Sequence, residues 1–163
     1  MFKKSSAPTS PAATSPPPVQ GREGLAGSIR RTTTQRNSVI DVLADGKTLF
    51  TTEDGSTYIG PFKEHKFHGL GELRWADGVT WYKGEYVEGA MQGKGTLHTK
   101  AGTYEGDFAN NKMHGQGSFA YADGSKYLGA FENGERSGQG QLTYADGSKY
   151  VGTFKVQWGV GRG

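Results

Sequence analysis

Four histidines are the candidate metal ligands of this chain: His65, His68, His98 and His114. Zinc binds ligand nitrogens at about 2 Å. His68 and His114 hold the same place in a repeated segment described below, four strands apart, which corresponds to roughly 19 Å at about 4.8 Å per strand. They are therefore not expected to share a metal, and only His65 and His68, which flank one turn, form a candidate pair. We predict no metal site and no cofactor.

Two patterns resemble ligand-binding loops in part. A dinucleotide-binding loop needs G-x-G-x-x-G between a strand and a helix, and a P-loop needs G-x-x-x-x-G-K-[ST]. The segment from Gly89 to Lys94 is one residue short of a P-loop. The Asp-Gly pairs that end at Gly78, Gly124 and Gly147 supply one acidic residue each, whereas a calcium loop needs several within twelve residues. We interpret both patterns as turn and strand signals.

Catalytic residues are not indicated by this sequence. The chain has no cysteine, which excludes disulfides, thiolate metal sites and a cysteine nucleophile. No hydroxyl nucleophile is spaced from a base in a recognisable arrangement. Acids such as Glu105 and Asp107 are expected on the solvated face of a flat sheet, outside any deep pocket. The sequence therefore predicts a protein that is not an enzyme, with no catalytic residues.

A phrase of 22–24 residues repeats from Tyr58 to the end of the chain. It consists of an aromatic-x-Gly-x-aromatic run, a Gly-x-Gly-x-apolar run and a closing glycine. In the first four copies the closing glycine lies 20 residues after the opening tyrosine, and only the connector that follows varies in length. A fixed unit with variable connectors is typical of stacked supersecondary repeats. The copies open at Tyr58, Tyr82, Tyr104, Tyr127 and Tyr150.

Within each copy, apolar residues or glycines alternate with polar residues. In the third copy Tyr104, Gly106 and Phe108 share one face, and Glu105 and Asp107 point to the other. A period of two residues predicts β-strands. A helix is disfavoured because glycine at every second residue costs about 1 kcal/mol each time.

The turn between the two runs sets the predicted register of the hairpin. A two-residue loop at Asn111-Lys112 would place Phe108 opposite Gly115, and Gly106 opposite Gly117. Aromatic rings would then lie over glycines of the neighbouring strand, which stabilises glycine-containing strands. Each copy is thus predicted to be a β-hairpin, and the hairpins are predicted to pair edge to edge.

The phrase resembles the MORN repeat (membrane occupation and recognition nexus). The resemblance is carried in the first copy by Tyr58-Ile-Gly60-Pro-Phe62, His68-Gly69-Leu-Gly71-Glu-Leu73 and Ala76-Asp77-Gly78. It implies an all-β, single-layer, elongated and twisted antiparallel sheet of stacked β-hairpins, with about ten strands. The second copy departs from the pattern at residues 99–102, which lack the aromatic residue and the Asp-Gly pair.

The resemblance also divides the chain. It extends over complete copies at 58–81, 82–103, 104–126 and 127–149 and a partial copy at 150–163, within a predicted repeat domain at 41–163. Residues 46–57 resemble the second half of a degenerate copy, in which Phe50 takes the place of Leu73.

Residues 1–40 differ in composition from the rest. Five of the six prolines fall within the first 18 positions, among Ser, Thr and Ala. The stretch has six Lys or Arg residues and one acid, a net charge of +5, whereas residues 41–163 have 13 basic and 15 acidic residues, a net charge of −2. Such a segment buries too little apolar surface to offset its ordering entropy. We predict a disordered basic tail over 1–40.

An aromatic stripe on one face of the sheet is the predicted binding surface. Because a single-layer sheet has no second layer to cover these rings, part of their apolar surface is expected to stay accessible for a partner. The predicted partner-binding groove consists of Tyr58, Phe62, Trp75, Tyr82, Tyr86, Tyr104, Phe108, Tyr121, Tyr127, Phe131, Tyr144, Tyr150 and Phe154, with Phe119 on the same face. Tyr86, Phe108 and Phe131 are the predicted anchors.

Three functions remain open. The leading hypothesis is a non-catalytic scaffold or adaptor that binds an extended or helical segment of a partner protein, in the cytoskeletal, ciliary or membrane-junction assemblies that the resemblance implies. The second is a peripheral membrane module that binds acidic phospholipids. The third is a regulatory fragment of a larger enzyme, such as a phosphatidylinositol phosphate kinase. The first two place the chain in the cytoplasm, at the cytoskeleton or cilium, or on a membrane surface.

Two further expectations concern partners. A nucleic-acid partner is not expected, because the predicted sheet is net acidic. The last copy ends before its return strand is complete, which leaves the strand Tyr150–Phe154 with one unpaired edge. We therefore predict that the chain forms a homodimer through this C-terminal edge.

Overall fold

The computed structural model describes residues 29–35, 38–43 and 47–155. These residues form strands and turns and contain no helix. The strands are β1 (Ile29–Gln35), β2 (Ser38–Leu43), β3 (Thr48–Thr51), β4 (Thr57–Gly60), β5 (Phe62–Lys63), β6 (Lys66–Phe67), β7 (Gly69–Arg74), β8 (Trp81–Val87), β9 (Ala90–Thr99), β10 (Gly102–Ala109), β11 (Lys112–Tyr121), β12 (Lys126–Glu132), β13 (Glu135–Thr143) and β14 (Lys149–Phe154).

Twelve strands form one open antiparallel sheet in chain order, and β5 and β6 form a separate two-stranded hairpin. Every described pairing joins strands that follow one another in the chain, except that β4 pairs with β7 across the β5–β6 hairpin. The structure therefore confirms the predicted all-β meander of stacked hairpins. It has two more strands in the main sheet than the ten that the repeat implies.

The additional strands β1 and β2 correct the predicted boundary of the tail. Composition predicts that residues 29–35 and 38–40 belong to a disordered segment, but in the structure they pair in antiparallel register with one another and with β3. Proline and serine in the first 18 residues dominated the average composition of 1–40. The β-branched residues that follow, such as Val39 and Ile40, favour strand. Residues 1–28 lie outside the described residues.

The predicted half repeat at 46–57 contains one complete strand, β3. Phe50 in β3 lies opposite Tyr58 in β4, as Leu73 in β7 lies opposite Tyr82 in β8. Pro61 follows β4 and has no amide hydrogen to donate, so the first complete hairpin is split there into β4–β7 and β5–β6.

Each hairpin ends in a two-residue turn whose residues both have positive φ. This geometry is typical of type I′ turns, which match the twist of antiparallel strands. The predicted loop Asn111-Lys112 is shifted by one residue. The turn pairs are Glu64-His65, Glu88-Gly89, Asn110-Asn111 and Asn133-Gly134, with φ between 49° and 91°.

A bulge separates the two halves of each hairpin and changes the predicted register. Gly106 faces Gly117, as predicted, but the pairing then shifts, so that Phe108 faces Met113 and not Gly115. Gly115 has a φ of 61° and lies within the bulge. The shift recurs after Gly84 and Gly129, which makes it a property of the repeat.

The core of the sheet consists of aromatic rings on one face, which we call the ring face; the opposite face is the polar face. Each opening tyrosine folds back over the glycine two residues later, and the first four also cover the glycine opposite on the return strand. A Cβ at Gly106 or Gly117 would fall on the ring or hydroxyl of Tyr104. The most deeply buried rings are Tyr58, Tyr82, Tyr86, Tyr104, Phe108, Tyr127 and Phe131, each at most 4% exposed.

Replacing Gly117 by Val should destabilise the sheet, because its side chain would overlap the ring of Tyr104. We expect the free energy of unfolding to fall by roughly 1–3 kcal/mol, as for other overpacked sites, measured by urea denaturation. The control is Gly134→Asn, since Asn111 already occupies the equivalent positive-φ position; its effect should stay within about 0.5 kcal/mol. Equal stability of the two variants would contradict the seating of Tyr104 on Gly117.

Candidate partner-binding groove

The hydroxyls of three buried opening tyrosines donate hydrogen bonds to backbone carbonyls at the bulges. Tyr82 donates to the carbonyl of Glu85 at 3.1 Å, Tyr104 to that of Asp107 at 2.8 Å, and Tyr127 to that of Ala130 at 2.9 Å. Each acceptor is the residue at which the strand register shifts. The backbone carbonyl at the bulge thus accepts a hydrogen bond from the buried tyrosine hydroxyl. The same bond holds the tyrosine ring flat against the two glycines.

The buried rings also contact one another across neighbouring hairpins and form a continuous aromatic ladder. Tyr104 lies 5.1 Å from Phe108 in its own hairpin and 4.8 Å from Phe131 in the next, both in edge-to-face geometry. The same two contacts recur around Tyr82 and Tyr127. Such pairs add about 0.5–1.5 kcal/mol each beyond the area that they bury. The ladder therefore couples each hairpin to its neighbour.

Backbone hydrogen bonds connect the hairpin turns in the same way. The amide of Gly89 donates to the carbonyl of Phe67, that of Asn111 to Met91, and that of Gly134 to Met113, at 2.9–3.1 Å. These bonds fix the backbone positions of Phe67, Met91 and Met113. Each of these residues lies opposite the second aromatic residue of its own hairpin, which is Phe62, Tyr86 or Phe108.

The structure divides the predicted groove residues into three groups. Tyr58, Tyr82, Tyr86, Tyr104, Phe108, Tyr127 and Phe131 form the buried core. Phe62, Trp75, Tyr121 and Phe154 are partly buried and pack on that core, as does Phe119. Tyr144 and Tyr150 are 47% and 46% exposed.

The three predicted anchors, Tyr86, Phe108 and Phe131, are 2%, 3% and 4% exposed. They have little surface to offer a partner, because neighbouring hairpins cover them. Their place as anchors is therefore revised, and they form the floor of the groove.

Partly buried side chains, all apolar except Arg136, form two rows above this floor. The turn row, Phe67, Met91, Met113 and Arg136, lies opposite Phe62, Tyr86, Phe108 and Phe131 across the hairpins. The strand row consists of Leu73, Leu97, Phe119 and Leu142, which lie opposite the opening tyrosines. Trp75 and Tyr121 follow Leu73 and Phe119 by two residues in the chain. The predicted set omits Phe67, Met91 and Met113, which have no fixed letter in the repeat.

Two hollows lie along the ring face. One, of about 670 Å³, lies among the N-terminal hairpins and is lined by apolar residues such as Phe50 and Phe67 and by polar ones such as Glu64 and Lys66. The other, of about 580 Å³, lies between Met113 and Arg136 on one side and Phe119 and Tyr121 on the other. We call the second the C-terminal hollow. Both have the size of small-ligand or side-chain sites.

The polar face carries charged and polar side chains that pair locally. Lys94 contacts Asp107 at 2.6 Å, and Arg74 contacts Glu72 at 2.5 Å. The Lys94 ammonium lowers the pKa of the Asp107 carboxyl. These exposed pairs add little stability. The same face also exposes the apolar side chains of Leu70, Leu128 and Val151.

The Asp-Gly turns use their carboxylates internally. Asp123 accepts hydrogen bonds from the amide and hydroxyl of Ser125 at 2.8 and 2.5 Å, and these bonds lower its pKa. Asp77 does the same with Thr80. They are turn residues, as predicted.

The histidines do not come together as metal ligands. His98 lies on Trp81 in a stacked geometry, and its Nδ1 is 2.8 Å from the Thr103 hydroxyl. Among the residues that the structure describes, no cluster of three or more His, Cys, Asp or Glu side chains could hold a metal. The described part of the chain also has no helix able to cross a membrane.

The stacked hairpins and their aromatic ladder define a repeat protein of the binding-module type. A family model for the MORN repeat matches residues 58–80, 82–103, 104–126 and 127–149, which is more than half of the chain. The chain belongs to the MORN-repeat family. The family is generally made of non-catalytic repeat modules.

One solved structure similar to this chain is the TCP domain of SAS-4 (dCPAP) in complex with a proline-rich motif of Ana2 (dSTIL), from Drosophila melanogaster. The match covers 91% of this chain and 98% of that one, with 15% sequence identity and a TM-score of 0.33. At this TM-score the similarity supports no functional conclusion. No curated protein matches the sequence.

Replacing Tyr86 by Phe should stabilise the protein, because the buried Tyr86 hydroxyl has no hydrogen-bond partner among the residues that the structure describes. We expect a gain of about 1 kcal/mol in the free energy of unfolding. The matched change Tyr104→Phe removes a hydroxyl that donates to Asp107 and should cost about 1 kcal/mol. Urea denaturation of the two variants compares them directly, and a loss of stability in both would contradict this assignment.

Alkaline pH should unfold the sheet. Burial raises the pKa of Tyr58, Tyr82 and Tyr104 from 10.0 to about 12. Because the folded pKa is the higher one, the stability that these rings contribute is complete below pH 10 and is lost as the pH rises through about 12. Tyrosinate absorbance of these rings and loss of the β-sheet circular dichroism signal should therefore appear together. Ionisation of all tyrosines with the sheet intact would contradict the buried ladder.

Proposed function

We propose that this protein is a non-catalytic scaffold that binds an extended or helical segment of a partner protein in the groove on the ring face. The observation that carries the proposal is the pair of rows described above. Partly buried apolar side chains such as Met91, Met113 and Phe119 stand on a fully packed aromatic floor. Among the described residues no second layer covers them. Apolar surface that is accessible and continuous is typical of interaction sites.

The floor is suited to binding because its geometry is fixed before a partner arrives. The hydroxyls of Tyr82, Tyr104 and Tyr127 are satisfied by backbone carbonyls, and their rings are enclosed. A rigid floor lowers the entropy cost of association. Methionines at the rim adapt to the side chains of different partners.

A protein partner fits the groove better than a lipid surface does. The rows consist mainly of apolar and aromatic side chains, whereas a module for acidic phospholipids requires clustered Lys or Arg residues. Residues 41–163 have a net charge of −2. We propose that the protein acts in a cytoskeletal, ciliary or membrane-junction assembly, and that the lipid alternative is decided by the experiment below.

The predicted homodimer would use the outer edge of β14, which pairs only with β13 among the described residues. Tyr150 is 46% exposed there, whereas Tyr127, its counterpart one repeat earlier, is fully buried. Homodimer formation stays a prediction.

Replacing Met113 by Asp should abolish capture of the partner, because it puts a carboxylate into the middle of the turn row. The matched control is Ala120→Asp, on the same strand but exposed on the polar face beside Lys126. A groove ligand is a protein that is captured equally by wild type and by Ala120→Asp. Its captured amount should fall at least about tenfold with Met113→Asp. Quantitative mass spectrometry after affinity capture measures this, and melting curves confirm folding.

Two outcomes would overturn the proposal. Equal loss of capture in both variants, or loss only with Ala120→Asp, would move the site away from the groove. Co-sedimentation of wild type with phosphatidylserine vesicles, abolished by Met113→Asp, would assign the groove to lipid.

A further inference from the structure

Arg136 departs from the pattern of the turn row. The equivalent residues of the three preceding hairpins are Phe67, Met91 and Met113, each opposite the second ring of its hairpin. Arg136 lies opposite Phe131 in the same way. A permanent positive charge thus replaces an apolar side chain at the wall of the C-terminal hollow.

Aromatic rings hold this guanidinium in place. Its Cζ atom lies 5.3 Å from the ring centroid of Phe154, 5.7 Å from that of Tyr127 and 5.9 Å from that of Tyr121. Cation–π contacts at these distances are worth about 0.5–1 kcal/mol at exposed sites and more where water is excluded. The side chain is therefore positioned before any ligand binds.

The N–H donors of Arg136 are not used within the described part of the chain. No carboxylate there lies within ion-pair distance, and no hydrogen bond to the guanidinium is formed. Glu135 and Lys155 also line the hollow. The hollow therefore has an excess of one positive charge, and its other walls, which include Met113 and Phe119, are apolar.

We propose that Arg136 is an anion anchor that selects partner segments in which an Asp or Glu side chain lies beside apolar residues. This inference rests on the proposed function, because the segment occupies the same groove. The planar fork of guanidinium donors matches a carboxylate. Apolar neighbours of the acidic residue fill the space between Met113 and Phe119. The single negative charge of a carboxylate also suits a site beside Glu135 better than a doubly charged phosphate does.

Two peptides test this selection: acetyl-Leu-Phe-Glu-Leu-amide and its Gln counterpart, which differ in charge and little in size. They are titrated into the full chain while the Nε–Hε resonance of Arg136 is followed by NMR. The Glu peptide should shift this resonance and bind about five- to tenfold more tightly than the Gln peptide. The preference should shrink as salt is added, since the site is partly exposed.

Arg136→Met is the decisive variant, because methionine already occupies the equivalent place in two hairpins and the fold should be kept. It should bind both peptides equally. Lys126→Met, which removes a cation from the polar face, should keep the preference for Glu.

Other results would overturn the anchor. If wild type and Arg136→Met each bind both peptides equally, the proposed role of Arg136 in selecting an anion is wrong. The groove would remain a binding site for such segments. No binding of either peptide at millimolar concentration would remove both the anchor and the proposed groove for such segments. A shift of the Arg136 resonance with phosphatidylserine vesicles, and not with the Glu peptide, would assign the anion to a lipid.

Discussion

The seating of a tyrosine ring on a pair of facing glycines is the interaction on which this structure depends. Tyr104 shows it well: the ring covers Gly106 and Gly117, and its hydroxyl donates to the carbonyl of Asp107 at the bulge. Neither glycine can carry a Cβ without displacing the ring. The glycines weaken the strands intrinsically, but they let a large ring lie directly on the backbone. A single-layer sheet thereby obtains a core without a second layer.

The position of the tyrosine ring on its two glycines also couples neighbouring hairpins. Because Tyr104 lies flat on the glycines, its ring contacts Phe108 in its own hairpin and Phe131 in the next. The burial of each opening tyrosine therefore depends on the following hairpin. Stability in such an array is the sum of unit terms and nearest-neighbour terms. The same geometry separates two roles. The rings of the ladder form the core, while the side chains above them, such as Met113, are only partly buried.

Arg136 shows that the side chain at one position of the repeat can change in chemistry while the fold is kept. The fold fixes the turn-row positions in space but places few demands on the side chain there, since Phe, Met and Arg are all accommodated. Chemical variation along this row would change the proposed binding surface without changing the floor. A repeat with invariant ladder residues and variable row residues therefore resembles other solenoid proteins, whose stacked units present extended binding surfaces.

The sequence by itself determined the repeat, the strand character and the central pairing of Gly106 with Gly117, because alternation and glycine spacing are local properties of the chain. It did not determine the register beyond the bulge, where Phe108 faces Met113, since the two extra residues in β11, Gly115 and Gln116, leave no separate signal in the sequence. Nor did composition distinguish β1 and β2 from the proline-rich segment before them. Only the tertiary structure decided which aromatic residues are core and which are accessible. Tyr86 and Tyr121 have the same residue type and lie on the same face, but their burial depends on contacts with neighbouring hairpins that no single repeat contains.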